Sequence, residues 1–483
     1  MRTNLFRIVG VVSLGVAMPA LGLWSASVKA ESALPAPGGR NIFLRFLESF
    51  QAEDFVVDPG PPEVLEILGT ADAYYRAVDP FDRRLTMKDW LVTTGFLASD
   101  TTPWTGAGSA FPDLGSPTGD SNIRVDEAHG GSARATYVNG ADLGFGRRMY
   151  LRTNAGGSLA SFVENYGTDK TLFAQPNGFP RFFDVPNGDA LQQNILDVVK
   201  TRNPNGLVAT VVMEFVAPDQ DPTGEKRTTF YVYGANGQRV GIAGLNLDGR
   251  GSKANPGVCL VCHGGKPQAL VNGEYPNFGD TGAYFLPWDV PTFIFDGDPD
   301  GPLGVTAAPG FSRADQEKNF RELNRAVLSH HKQGAQFDEV SGLTRRVAPV
   351  EMIRGWYGGA TLPNDTFDES FVPVGWRPSE ERGIPAGARR VYREVIGPTC
   401  RACHAQRESA LDFATFRGFD ALRAEILNLT YTVPYTLAHA ANDDSPARPG
   451  DDRAVMPLAL RTYENFWNGT APARLRNFIE SLP

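Results

Sequence analysis

Two pentads carry the chemistry of this chain: Cys259-Leu260-Val261-Cys262-His263 and Cys400-Arg401-Ala402-Cys403-His404. The sequence holds four cysteines, and these two stretches use all of them. Cysteines three apart lie on the same side of a helical turn. From there both thiols reach one edge of a single flat macrocycle, and the next residue puts its imidazole under the metal. Cys-x-x-Cys-His is therefore the attachment signature of c-type haem, with two thioethers to the porphyrin vinyl groups and a proximal histidine on iron. Cys259, Cys262, Cys400 and Cys403 are expected to hold two covalent haems, with His263 and His404 as the proximal iron ligands. The competing uses of such spacing are a thioredoxin-like dithiol, a zinc cluster, or two small disulfides. A dithiol needs no histidine after its second cysteine, and a structural zinc site normally takes a second pair close in sequence.

With these motifs and a downstream Met456-Pro457, residues 251 to 483 resemble a bacterial di-haem c-type cytochrome. In small cytochromes of that kind a Met-Pro on a loop before the last helix supplies the distal thioether. The resemblance assigns that role to Met456, with His439 as fallback. For the first haem the sixth ligand is expected from His330 or His331. Both stand at the end of a helix whose apolar face is Phe320, Leu323, Val327 and Leu328. His331 falls inside that face and His330 at its edge, so His331 leads, with Met352 as its rival.

A second resemblance implies a different use. The two pentads begin 141 residues apart, at 259 and 400. That separation and a Met-ligated second haem are similar to the di-haem peroxidase and rubber-oxygenase superfamily. There the first haem activates peroxide or dioxygen and the second relays electrons. Here no histidine occurs between His263 and His330, and the long segment before the pentads is foreign to the basic peroxidase. The same resemblance keeps calcium in view at Asp296-Gly297-Asp298-Pro299-Asp300-Gly301, whose alternate carboxylates suit a hard cation. The twelfth position, Ala307, lacks the glutamate of an EF-hand, so a solvated acidic turn at Asp296, Asp298 and Asp300 is the simpler expectation.

The elements that must position these residues change character along the chain. Short amphipathic helices are expected over Ile42–Phe50 and Pro62–Val78, and Thr86 to Asp89 reads as a capping box. An irregular loop follows from Ala98 to Gly131. Arg147–Thr153, Leu159–Tyr166, Leu207–Val216 and Thr228–Tyr233 are β-branched and aromatic, with Asn236-Gly237 as a tight turn, and predict antiparallel strands. Gly and Pro residues before Cys259 deny it a preceding helix, and Gly264-Gly265 breaks the chain directly after His263. Ser312 with Asp315 caps the helix leading to His331, and Gly334 can end it. Helices are also expected over Val350–Trp356, Arg389–Ile396 and Phe413–Leu429, and after Pro472. The expected fold is α+β: a mixed N-terminal domain with an antiparallel sheet (31–250), then two mainly α-helical cytochrome c-like domains (251–375 and 376–483).

Residues 1–30 have the make-up of a cleaved secretory leader, with Arg2 and Arg7, an apolar run from Ile8 to Leu23, and Val28-Lys29-Ala30. Export would place the chain in the periplasm or outside the cell. Unattached thiol pairs there tend to oxidise, which sharpens the haem expectation. Loss of the leader's three positive charges takes the formal charge from −9 to −12. That sign argues against nucleic acid and is compatible with a redox partner protein. No segment of the mature chain is long and apolar enough for a membrane span.

Overall fold

The computed structural model describes residues 71–97, 131–154, 156–168, 188–241, 247, 254–265, 268–297, 306–331, 348–405, 413–432, 459, 461–462, 465–466 and 469–483. The expected leader, the helix at 42–50 and most of the loop at 98–131 lie outside them, as do Gly334, Asp298, Asp300, His439 and Met456. So does the side chain of Cys403.

The chain enters through a helical segment, residues 71–78 (α1), and a short helix, Met87–Thr93 (α2). Thr86 and Asp89 close the expected capping box over α2, each side chain accepting the other's backbone N–H. Five strands then follow in antiparallel sequence: β1 (Gly131–Asn139), β2 (Gly146–Asn154), β3 (Ser158–Tyr166), β4 (Leu207–Val216) and β5 (Arg227–Gly234). A helix, α3 (Gly188–Thr201), lies between β3 and β4. A two-residue strand, β6 (Phe293–Ile294), pairs antiparallel with β1, giving the order β5-β4-β3-β2-β1-β6. Gly146 lets α3 approach β2, since a Cβ there would stand 2.9 Å from Ile195 Cγ2.

Side chains alternate across the sheet with period two, and both faces are covered. On the outer face Tyr150, Phe162, Val212, Tyr231 and Tyr233 pack against Tyr74, Val78, Trp90 and Leu91 of α1 and α2. Two buried arginine pairs fasten this layer: Arg84 reaches Glu214 of β4 at 2.7 Å, and Arg239 reaches Asp79 at 2.9 Å. On the inner face Ala133, Tyr137, Met149, Leu151, Met213, Phe230 and Val232 join a second core.

That second core continues through the rest of the chain. It contains α4 (Gly257–His263), α5 (Arg313–His331), α6 (Ala348–Trp356) and α7 (Ala388–Val391), which runs on through a π-turn at Tyr392–Ile396 and one turn at Gly397–Thr399. After it come α8 (Arg401–His404), α9 (Phe416–Asp420), α10 (Arg423–Thr432) and α11 (Ala471–Glu480). The single helix expected over 413–429 is two, broken at Ala421-Leu422. No helix among the described residues is long and apolar enough to cross a membrane. The architecture is α+β, one antiparallel sheet between helical layers.

Candidate functional site

The first pentad is itself a helix. The chain arrives through the Asn255–Pro256 bond, α4 begins at Gly257, and it ends at Gly264 and Gly265, whose φ values are +69° and +78°. The glycine and proline before Cys259 thus leave room for the pentad's own two turns and nothing longer. Asn255 ties α4 to the sheet, its Nδ2 donating to the Phe230 carbonyl at 2.7 Å and its Oδ1 accepting from Cys259 Sγ at 3.5 Å.

His263 is held from one residue. Its Nδ1 is 2.9 Å from the Tyr284 carbonyl, and the Tyr284 amide donates back to the His263 carbonyl at 3.1 Å. A carbonyl can only accept, so Nδ1 carries the proton and Nε2 the lone pair, which is how proteins orient a metal-binding imidazole. Enclosure by protein depresses the ring's pKa to about 4, opposed by the bond to Tyr284 and reinforced by Arg147. The open surface that His263 retains faces a cavity, so the ring is neutral and ready to donate.

That cavity has a volume of about 220 Å³ and runs between α4 and the inner face of the sheet. Cys259, Cys262 and His263 of α4 border it, as do Met149, Val163, Met213 and Phe230 of the sheet. The Phe230 ring lies 5.4 Å from that of His263. Neither Cys259 nor Cys262 is in a disulfide, and burial pushes Cys259 well above the usual thiol range. A redox dithiol depends on a depressed pKa, and Cys259 is shifted the other way. Among the described residues no three histidine, cysteine or acidic side chains converge as a metal cluster. A donor-oriented imidazole and two cysteines outside any disulfide, all bordering one cavity, are the residue types that hold a thioether-linked porphyrin.

The cavity also holds charge. Arg147 of β2 pairs with Asp142, which accepts from Asn139 Nδ2 at 3.1 Å and from the Gly144 amide at 3.3 Å. Burial raises Asp142 above the ordinary carboxylate range, with Arg147 pulling it back. Asp289, also on the cavity wall, grips Arg401 of the second pentad through two bonds of 2.5 and 2.7 Å. Arg401 is further stacked near Trp356 and Tyr392, at 5.3 and 5.6 Å. Ala402 borders the cavity, and α8 packs against α4. Of the two residues between Cys400 and Cys403, Ala402 thus borders the pocket of the first pentad and Arg401 is bonded to its wall through Asp289.

Around the second pentad, Cys400 is half-buried against the core and His404 is buried, with the Phe413 ring 5.1 Å from that of His404. Burial lifts the Cys400 thiol to about 11. His330 and His331 are fully buried at the end of α5, but neither borders the cavity. His331 Nε2 bonds the Phe285 carbonyl at 3.2 Å. His330 sits among Phe215, Tyr284 and Phe285, and neither of its ring nitrogens has a hydrogen-bond partner. Met352 accepts from the Tyr392 hydroxyl at 3.8 Å and is also away from the cavity. Asp296 directs its carboxylate at Lys200 (2.9 Å) and at the Ala308 amide (2.7 Å).

Arg147, Asp142, Asp289, Met149 and Met213 were not singled out from sequence. The legible signal was the alternation Arg147, Met149, Leu151 on one side of β2, which puts a charge on an otherwise apolar inward face. Comparison with protein-family models, with curated proteins and with solved structures returns no match for this chain.

Proposed function

We propose that this chain is an exported, periplasmic di-haem c-type cytochrome that passes single electrons between partner proteins. In this reading residues 251–375 and 376–483 are the two haem-bearing segments, and the sheet of the preceding segment closes the first pocket. The observation that carries it is the Nδ1–H bond from His263 to the Tyr284 carbonyl, which prepares Nε2 as a ligand on the cavity that Cys259 and Cys262 also border.

Haem, when bound, supplies one-electron chemistry whose potential the axial ligands set. The chain's own part is threefold. His263 presents a neutral imidazole, His404 is assigned the proximal position of the second site, and Met456 is assigned its thioether. The core around α4 and α8 excludes water, and the contact between those helices keeps the two attachment sites close. The acidic surface is offered to a redox partner carrying basic residues.

One observation favours a second reading, a di-haem peroxidase or oxygenase. The Arg147–Asp142 pair gives the first pocket polar groups that an oxygen-donor substrate could use. Absorption and electron paramagnetic resonance spectra separate the two. Electron transfer requires two low-spin centres that do not respond to carbon monoxide or peroxide. A high-spin centre at rest or after half-reduction, reacting rapidly with peroxide, would replace that reading with the enzyme.

A further inference from the structure

The sixth ligand of the first haem was expected from α5, yet His330 and His331 do not border the cavity that Cys259, Cys262 and His263 share. Apart from His263, no described histidine borders it. The sheet shares that space with His263, and its inner face brings two thioethers to it, Met149 on β2 and Met213 on β4, 9% and 5% exposed.

The register ranks them. Met213 stands directly opposite Phe230 on the neighbouring strand, and Phe230 is the sheet residue whose ring touches His263. Cross-strand partners have Cβ atoms about 5 Å apart, so the Met213 thioether begins one strand from the proximal imidazole. Met149 lies two strands further across the sheet, a displacement of about 10 Å at the usual strand spacing. The other side chains on the wall that could bind iron are engaged: Asp142 with Arg147, and Asp289 with Arg401.

We infer that Met213 is the distal iron ligand at the first pentad, so that the sheet supplies half of that haem's coordination. This rests on the haem reading above and deepens it. Both sites would then be His/Met, which places both potentials above those of bis-histidine haems. It also gives the antiparallel sheet a function, because β4 and β5 fix the distance between Met213 and the histidine-bearing helix.

The test uses the mature full-length protein with both haems attached, the haem number being read by mass in every variant. The readouts are the near-infrared methionine-to-iron band and a potentiometric titration. Met213→Leu keeps the volume and should halve the band and lower one of two midpoint potentials. Met456→Leu should halve it independently, and the double variant should abolish it. Met149→Leu should leave it intact. Should Met213→Leu fail to accumulate, Met213→His decides: a ligand position keeps a low-spin haem with half the band and a lowered potential. A full band in Met213→Leu or Met213→His, or a band halved by Met149→Leu, would overturn the assignment. Wild-type protein without macrocycles would instead remove the haem reading itself.

Discussion

Replacing Asp289 with alanine isolates the contact that joins the second pentad to the pocket of the first. Arg401 keeps 12% of its side-chain surface and Asp289 4%, so neither is compensated by bulk water. Its partner gone, the guanidinium stays between Trp356 and Tyr392 with two donors unmet. Breaking one side of a buried pair costs about 3–5 kcal/mol, against roughly 0–1 kcal/mol for an exposed pair. Asp289→Asn keeps the shape and one acceptor, and should fall between. Urea unfolding of the mature protein, followed by tryptophan fluorescence, gives the free energies. A cycle with Arg401→Met should return a coupling of at least about 2 kcal/mol, because the groups touch directly. A loss under about 1 kcal/mol for Asp289→Ala, with additive single effects, would mean that the pair is solvated and does not hold α8 to the cavity wall.

Two further substitutions probe the surroundings. His330 is a buried imidazole without a partner, and an unsatisfied polar group costs about 1–3 kcal/mol, so His330→Leu should stabilise the protein near neutral pH. Burial, helped by His331, holds the His330 pKa well below 6.5, so the unfolded state takes up the proton first. The stability this group leaves in place above pH of about 6.5 is lost as pH falls, by up to about 1.4 kcal/mol per unit. His330→Leu should flatten that acid limb in pH-dependent unfolding and leave the haem spectrum unchanged; a lost low-spin signal would show that His330 binds iron. Gly265→Ala would push a Cβ to 2.2 Å from the Thr281 carbonyl oxygen and 2.8 Å from the Ala283 amide, at a φ of +78°. Backbone must move, so a loss of about 3 kcal/mol or more is expected, with haem missing from the first pentad and present at the second by mass. Wild-type stability with two haems would contradict the role given to that turn.

Local rules made much of the fold legible. Period-two alternation marked β2 to β5, and side-chain caps marked α2 and the start of α5, where Ser312 and Asp315 bond each other. β1 escaped because its Gly, Ser and Ala residues look like the loop before it, and α3 because it follows a stretch rich in proline, asparagine and glycine that reads as loop. The pentads were visible because each is five contiguous residues whose types and spacing repeat. Their surroundings were not: Met213, Arg147 and Asp289 reach the first pentad only through strand register and long-range packing, which single-residue patterns do not encode. The helical wheel rightly put His331 on the buried face of α5. It could not say that this face meets Phe285 and Tyr284 rather than the cavity.

Mass spectrometry of the mature protein, purified from a host that assembles c-type cytochromes, tests the central claim most directly. The account predicts the polypeptide mass plus two haems, falling to one when Cys259 and Cys262 are both alanine, and to one when Cys400 and Cys403 are. A bare polypeptide mass, with all four thiols free or paired as disulfides, would contradict it.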